Sequence, residues 1–113
     1  MPGSTIDSRE LVQSLLPKLS AAEDIVSNTL LTLVEQAESD GVRQLRKTQK
    51  EEFELEIIMI RMNLDHLLKR YAVEIEASVN QALHQSLELD EHETFAVKSA
   101  YALYERVRDY QHA

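Results

Sequence analysis

The chain has 113 residues, no Cys, and a net charge of −8 from 20 acidic and 12 basic side chains. That size suits one domain with one modest core, the missing Cys excludes disulfides and thiolate metal sites, and the acidic surface repels phosphate backbones, so the isolated chain is not expected to bind nucleic acid. Two Gly and two Pro are too few for the turns of a β fold, and no apolar run approaches the ~18 residues of a membrane span, so the composition reads as all-α and without a membrane helix.

Residues 1–6 are expected to be a disordered lead-in or a cloning remnant ahead of a single helical domain. Met1–Ser4 lacks the charged and apolar regions of a signal peptide, which points to a soluble intracellular protein. A first helix is expected to start near Thr5 to Ser8, where a hydroxyl or carboxylate can cap free amides. It carries Leu11, Val12, Leu15 and Leu16. Pro17 should stop or kink it, because proline lacks the N–H donor and restrains the residue before it.

Ser20-Ala-Ala-Glu23 reads as a capping box that opens a second helix. Val26, Leu30, Leu33 and Ala37 mark its buried stripe, broadened by Ile25 and Val34. The helix should run to about Asp40, where Gly41 supplies a left-handed ending.

The third helix, expected over about 44–76 or further, is the long central element. Phe53, Ile57, Ile60, Leu64, Leu67 and Tyr71 recur at spacings of 4, 3, 4, 3 and 4, which places six side chains in one stripe. Ile58, Met62 and Leu68 widen it. The pattern persists through Ile75, Val79, Ala82 and Leu83. A continuous helix to Ser86 would be longer than a compact domain of this size is wide, so a bend or break is expected near Ala77–Asn80. Such a helix needs company. If Ile58, Met59 and Met62 stay uncovered they form a patch that predicts an interface.

Asp90-Glu-His-Glu93 is a second capping signal. It precedes a last helix whose stripe is Ala96, Ala100, Leu103, Val107 and Tyr110. The whole is a four- or five-helix bundle with short connections.

Chemistry is sparse. His84, Glu88 and His92 are spaced by four and could hold a metal on one continuous helix, but Leu89 and Asp90 mark a boundary that should scatter them. His66 reads as a surface histidine. Glu51, Glu52, Glu54 and Glu56 point in several directions, as a solvated face does, not toward one pocket. No nucleophile elbow, P-loop, dinucleotide fingerprint or zincin motif occurs, so neither an enzyme nor a cofactor is expected. Arg43, Arg46, Lys47 and Lys50 form a basic face that could meet an acidic partner or phosphates; the plainer account is an exposed helix start. Tyr101, Tyr104 and Tyr110 fit an interface or the rim of a core equally well.

The segment from Glu56 to Glu76 resembles the long helix of the SLD-five subunit of the eukaryotic GINS replication complex. The matching positions are Glu56, Ile60, Arg61, Leu64, Leu68, Lys69, Ile75 and Glu76. Downstream, Leu89-Asp-Glu-His-Glu-Thr-Phe-Ala96 is similar to that family's acidic helix start. The likeness covers roughly the last two thirds of the chain. Tyr71 stands where the family has a second arginine, and Glu74 where it has a lysine. The family's small β domain has no counterpart in these residues. The resemblance implies a non-catalytic, nuclear subunit of a four-protein assembly that supports the replicative helicase, with apolar helix faces as subunit contacts. Read from its residues alone, the chain is a helical scaffold: a subunit of another assembly (kinetochore, tethering or secretion type) or a homodimer paired through the long helix. A metal-dependent enzyme using His84, Glu88 and His92 is the rival from another class.

Overall fold

A computed structural model describes residues 4–81 and 84–112. It is a helical bundle with four helices and one two-stranded ribbon, 51 × 29 × 19 Å along its principal axes. In chain order these are β1 (Ser4–Asp7), α1 (residues 8–35), α2 (Asp40–Arg70), α3 (Ala72–Gln81), β2 (Ser86–Leu89) and α4 (Glu91–Arg108), closed by a 3₁₀ turn at Asp109–His112.

Residues 4–6, expected as a lead-in, instead pair antiparallel with β2. Ser4 faces Leu89, Ile6 faces Leu87 and Asp7 faces Ser86. Ile6, Leu87 and Leu89 are buried on one face of the ribbon, which alternation along a strand permits. Ser8 extends the pairing: its N–H donates to Gln85 O at 2.8 Å, and its buried Oγ accepts from Gln85 N–H at 2.9 Å.

The two expected N-terminal helices are one. Pro17 does not stop α1, because a π turn over Leu11–Leu15 immediately precedes it, with Leu16 N–H bonded to Leu11 O. The wider turn takes up the extra residue where proline removes a donor. A second π turn spans Ile25–Thr29. The sequence explains both. Leu11, Leu15 and Leu19, and then Ala22, Val26 and Leu30, recur at intervals of four, and all six are buried. A regular 3.6-residue turn would carry such a run off one face, and the π turns bring it back. Ser20–Glu23 is therefore helix interior and caps nothing.

The ending at Gly41 is also corrected. Helix α1 ends at Glu35, and Ser39 caps α2 with its Oγ accepting from Val42 N–H at 3.2 Å. Gly41 lies in the first turn of α2. Arg43 and Arg46 reach back to the carbonyls of Ala37 (3.3 Å) and Leu33 (2.7 Å), supplying donors that the end of α1 lacks.

The 31 residues of α2 span most of the long axis. Ile57, Ile60, Leu64 and Leu67 are its buried stripe, with Phe53 and Tyr71 packed at the edge of the core. The break falls at Tyr71, not near Ala77–Asn80, which lie inside α3. Tyr71 leaves helical geometry (φ −115°, ψ 29°). Its hydroxyl donates to Glu88 O at 2.9 Å, and Arg70 donates to the same carbonyl at 2.8 Å. Tertiary bonds to β2 thus fix the bend. Of the residues expected to continue the stripe, Ile75 is half-buried, Val79 is exposed, and Ala82 and Leu83 lie outside the described residues.

Helix α4 runs antiparallel to α2 and buries Ala96, Ala100, Leu103 and Val107, as its periodicity predicts. Its start is a complete capping box: Asp90 Oδ1 accepts from Glu93 N–H at 2.7 Å, and Glu93 Oε1 accepts from Asp90 N–H at 2.8 Å.

Candidate functional site

The buried stripe of α2 leaves its opposite face to solvent, and that face is not polar. Leu55, Ile58, Met59 and Met62 expose 63%, 54%, 62% and 67% of their surface, and Phe95 on the adjoining flank of α4 exposes 66%. Single exposed apolar residues are ordinary; five large ones side by side are not. Between α2 and α4 lies a groove of about 550 Å³, floored by Ile60 and Ala96 and walled by Leu55, Met59 and Phe95. The Glu56–Arg106 ion pair joins the two helices beside it.

Ile58, Met59 and Met62, singled out in the sequence, therefore belong to the uncovered face. Leu55 and Phe95 join them. Leu55 stands among glutamates, and Phe95 is one residue off the buried stripe of α4. Their signal was the spacing to Met59 on one helix and the place of α4 beside α2, and the second needs the fold.

Tyr101 and Tyr104 of α4, and Tyr110, which falls in the closing 3₁₀ turn and not on the helix, sit elsewhere, half-buried against the core. Tyr101 donates to Glu10 Oε2 at 2.8 Å and accepts from Ser14 Oγ at 3.2 Å on α1, and burial pushes its hydroxyl pKa up. Lys18 lies over the rings of Tyr101 and Tyr104, and Tyr110 meets Phe53 edge-on at 6.1 Å. The basic face is split as well. Arg46 bonds to Leu33 O of α1, Arg43 bonds to Ala37 O just beyond α1 and pairs with Asp40 at 2.7 Å, Lys50 pairs with Glu54 at 3.3 Å, and Lys47 is exposed.

His84, Glu88 and His92 fall before β2, on β2 and on α4, and do not converge on one helix face. His84 instead pairs with Asp7 at 3.2 Å. The Arg9 N–H, with His84 assisting, holds the Asp7 carboxyl below the usual carboxylate range.

A different cluster forms where α2 meets α4. His66, Asp90 and Glu93 bring their polar atoms close together. Glu93 is 1% exposed, yet its carboxylate is satisfied: Oε1 accepts from Asp90 N–H and Arg70, and Oε2 faces His66 Nδ1 at 3.0 Å. The Glu93 carboxylate in turn raises the pKa of Arg70. A divalent ion here would sit against that guanidinium, so the chemistry is that of a clamp between helices, not of a metal centre. His66 is an exposed histidine, as expected, with this added bond.

No family model, no curated protein and no solved structure matches this chain. Among the described residues, no helix is long and apolar enough to cross a membrane.

Proposed function

We propose that this chain is a non-catalytic helical scaffold, one subunit of a multi-protein assembly, which docks through the outer face of α2 and the flank of α4. The observation that carries the reading is the patch of five large apolar side chains, each more than half exposed: four along one side of the longest helix, and Phe95 on the adjoining flank of α4. Covering such a patch is favourable by roughly 25 cal/mol per Å² of apolar surface, and the helix beneath it is already anchored in the core.

The sharper version is a subunit of the GINS type, nuclear and supporting the replicative helicase. Its support is the sequence resemblance around Glu56–Glu76. Of the positions that carry it, Ile60 and Leu64 are core residues, and Glu56 and Arg61 pair with Arg106 and Glu23. Ile75 and Glu76 lie beyond the bend at Tyr71, as does Glu74; Tyr71 and Glu74 are the two positions at which this helix departs from the family pattern.

Purification of the tagged full chain from its own cells tests the docking role. The expected result is a stoichiometric complex that Met59→Glu abolishes while the variant keeps its helical spectrum and melting temperature. A wild-type chain that purifies alone and as a monomer, with Met59→Glu behaving identically, would overturn it.

A further inference from the structure

The outer face of α2 carries a second periodic stripe. Glu52, Leu55, Met59, Met62, His66 and Lys69 recur at spacings of 3, 4, 3, 4 and 3, and all six are exposed. That is the heptad spacing of a coiled-coil seam. It is separate from the buried stripe of Ile57, Ile60, Leu64 and Leu67. The seam is apolar in the middle, acidic at its N-terminal end and basic at its C-terminal end. Among the described residues, neither Glu52 nor Lys69 takes part in an ion pair.

Charge decides how two such seams can meet. Side by side in parallel, Glu52 would face the partner's Glu52 and Lys69 the partner's Lys69. Run antiparallel about a two-fold axis between residues 60 and 61, the charged ends meet opposite charges and the apolar centre meets itself. Glu52 faces the partner's Lys69, Leu55 the partner's His66, and Met59 the partner's Met62. The arrangement is isologous, so every contact is made twice and the assembly closes at two copies.

We propose that this protein forms an antiparallel homodimer through the α2 seam. Leu55, Met59 and Met62 of each copy form the apolar centre, Ile58 and Phe95 flank it, and two Glu52–Lys69 cross-pairs close its ends. Fully covered, five side chains with roughly 100 Å² exposed apiece, counted on both copies, supply about 1,000 Å², the threshold for a biological interface and the size of a weak, reversible one. The assignment rests on reading this face as a docking surface and names its occupant.

The test is the mass of the purified full chain by light scattering from micromolar to near-millimolar concentration, with one monomer at 13.0 kDa. The expected result is a monomer–dimer equilibrium that Met59→Glu shifts to monomer with the helical spectrum unchanged. Glu52→Lys and Lys69→Glu should each weaken the dimer by about tenfold, and the double swap should restore it to within about threefold of wild type. Equal weakening by the double swap and the sum of the single changes would overturn the antiparallel register. A wild-type chain that stays monomeric throughout would overturn self-pairing. If that monomer still enters a stoichiometric complex with a different protein, and Met59→Glu abolishes the complex, the docking role stands without the dimer. If no complex forms either, both readings fall.

Discussion

Glu93 offers the sharpest test of how the bundle is held together. Its carboxylate is 1% exposed, completes the capping box through Asp90 N–H, and joins Arg70 and His66 of α2 to the start of α4. Glu93→Ala removes the return arm of the cap, worth about 1 kcal/mol, and hydrogen bonds to a charged group, worth about 1.5–3 kcal/mol in total because Arg70 and His66 regain water. The expected loss is about 2.5–4 kcal/mol. At this chain length that lowers the melting temperature by roughly 10–16 °C. Glu93→Gln keeps the shape and the acceptor for Asp90 N–H but loses the charge, so it should fall between, at about 1–2 kcal/mol. Glu105→Ala is the control: its pair with Arg108 is exposed on both sides and should be worth less than about 0.5 kcal/mol. Urea unfolding followed by circular dichroism measures all three. If Glu93→Ala behaves like Glu105→Ala, the clamp contributes nothing and the account of this junction is wrong.

Three further outcomes follow from the same structure. Leu64→Ala, at a fully buried central position, should destabilise by ~2–5 kcal/mol in urea unfolding, whereas Met59→Ala on the outer face should change monomer stability by less than about 0.5 kcal/mol. Ser39→Ala removes the N-terminal side-chain cap of α2 and should lower stability by about 1 kcal/mol, read as a shift in the urea midpoint with an unchanged slope. Asp7 has its folded pKa depressed by the Arg9 N–H and His84, so its contribution is present above the ordinary aspartate value of about 3.9 and is lost as pH falls through the lower folded value. Asp7→Asn should therefore flatten the acid limb of the stability–pH profile below about pH 4, measured by thermal melts in a pH series.

What the sequence made legible was periodicity and local chemistry. The stripes at Ile57, Ile60, Leu64 and Leu67 and at Ala96, Ala100, Leu103 and Val107 are buried as their spacing requires. Asp90 and Glu93 form a cap because their residue types and separation specify one, with no help from the rest of the fold. The boundaries that escaped were set by distant partners. Tyr71 carries no helix-breaking signal; Glu88 O, 17 residues on, turns the chain there. Pro17 is a strong stop signal that a π turn absorbs, and the clue lay in leucines spaced by four where 3.6-residue turns favour alternating threes and fours. Gly41 lost to Ser39, whose hydroxyl caps the next helix two residues earlier. The ribbon joins four residues at one end of the chain to four that lie some eighty positions away, a pairing too short to leave a pattern. The outer face was half visible: Ile58, Met59 and Met62 could be picked out, but the part played by Phe95 depends on where α4 lies.

The central claim is that Met59 and Met62 are covered when the protein is at work. Methionine oxidation by dilute peroxide reads this directly, because the thioether reacts in proportion to its exposure and each residue can be followed by mass spectrometry. In the monomer both side chains are more than 60% exposed and should oxidise nearly as fast as a free peptide. In the assembled state, at high concentration or in complexes drawn from cells, both rates should fall at least several-fold together. Rates that stay at the free-peptide value under every one of these conditions would mean that nothing docks on this face.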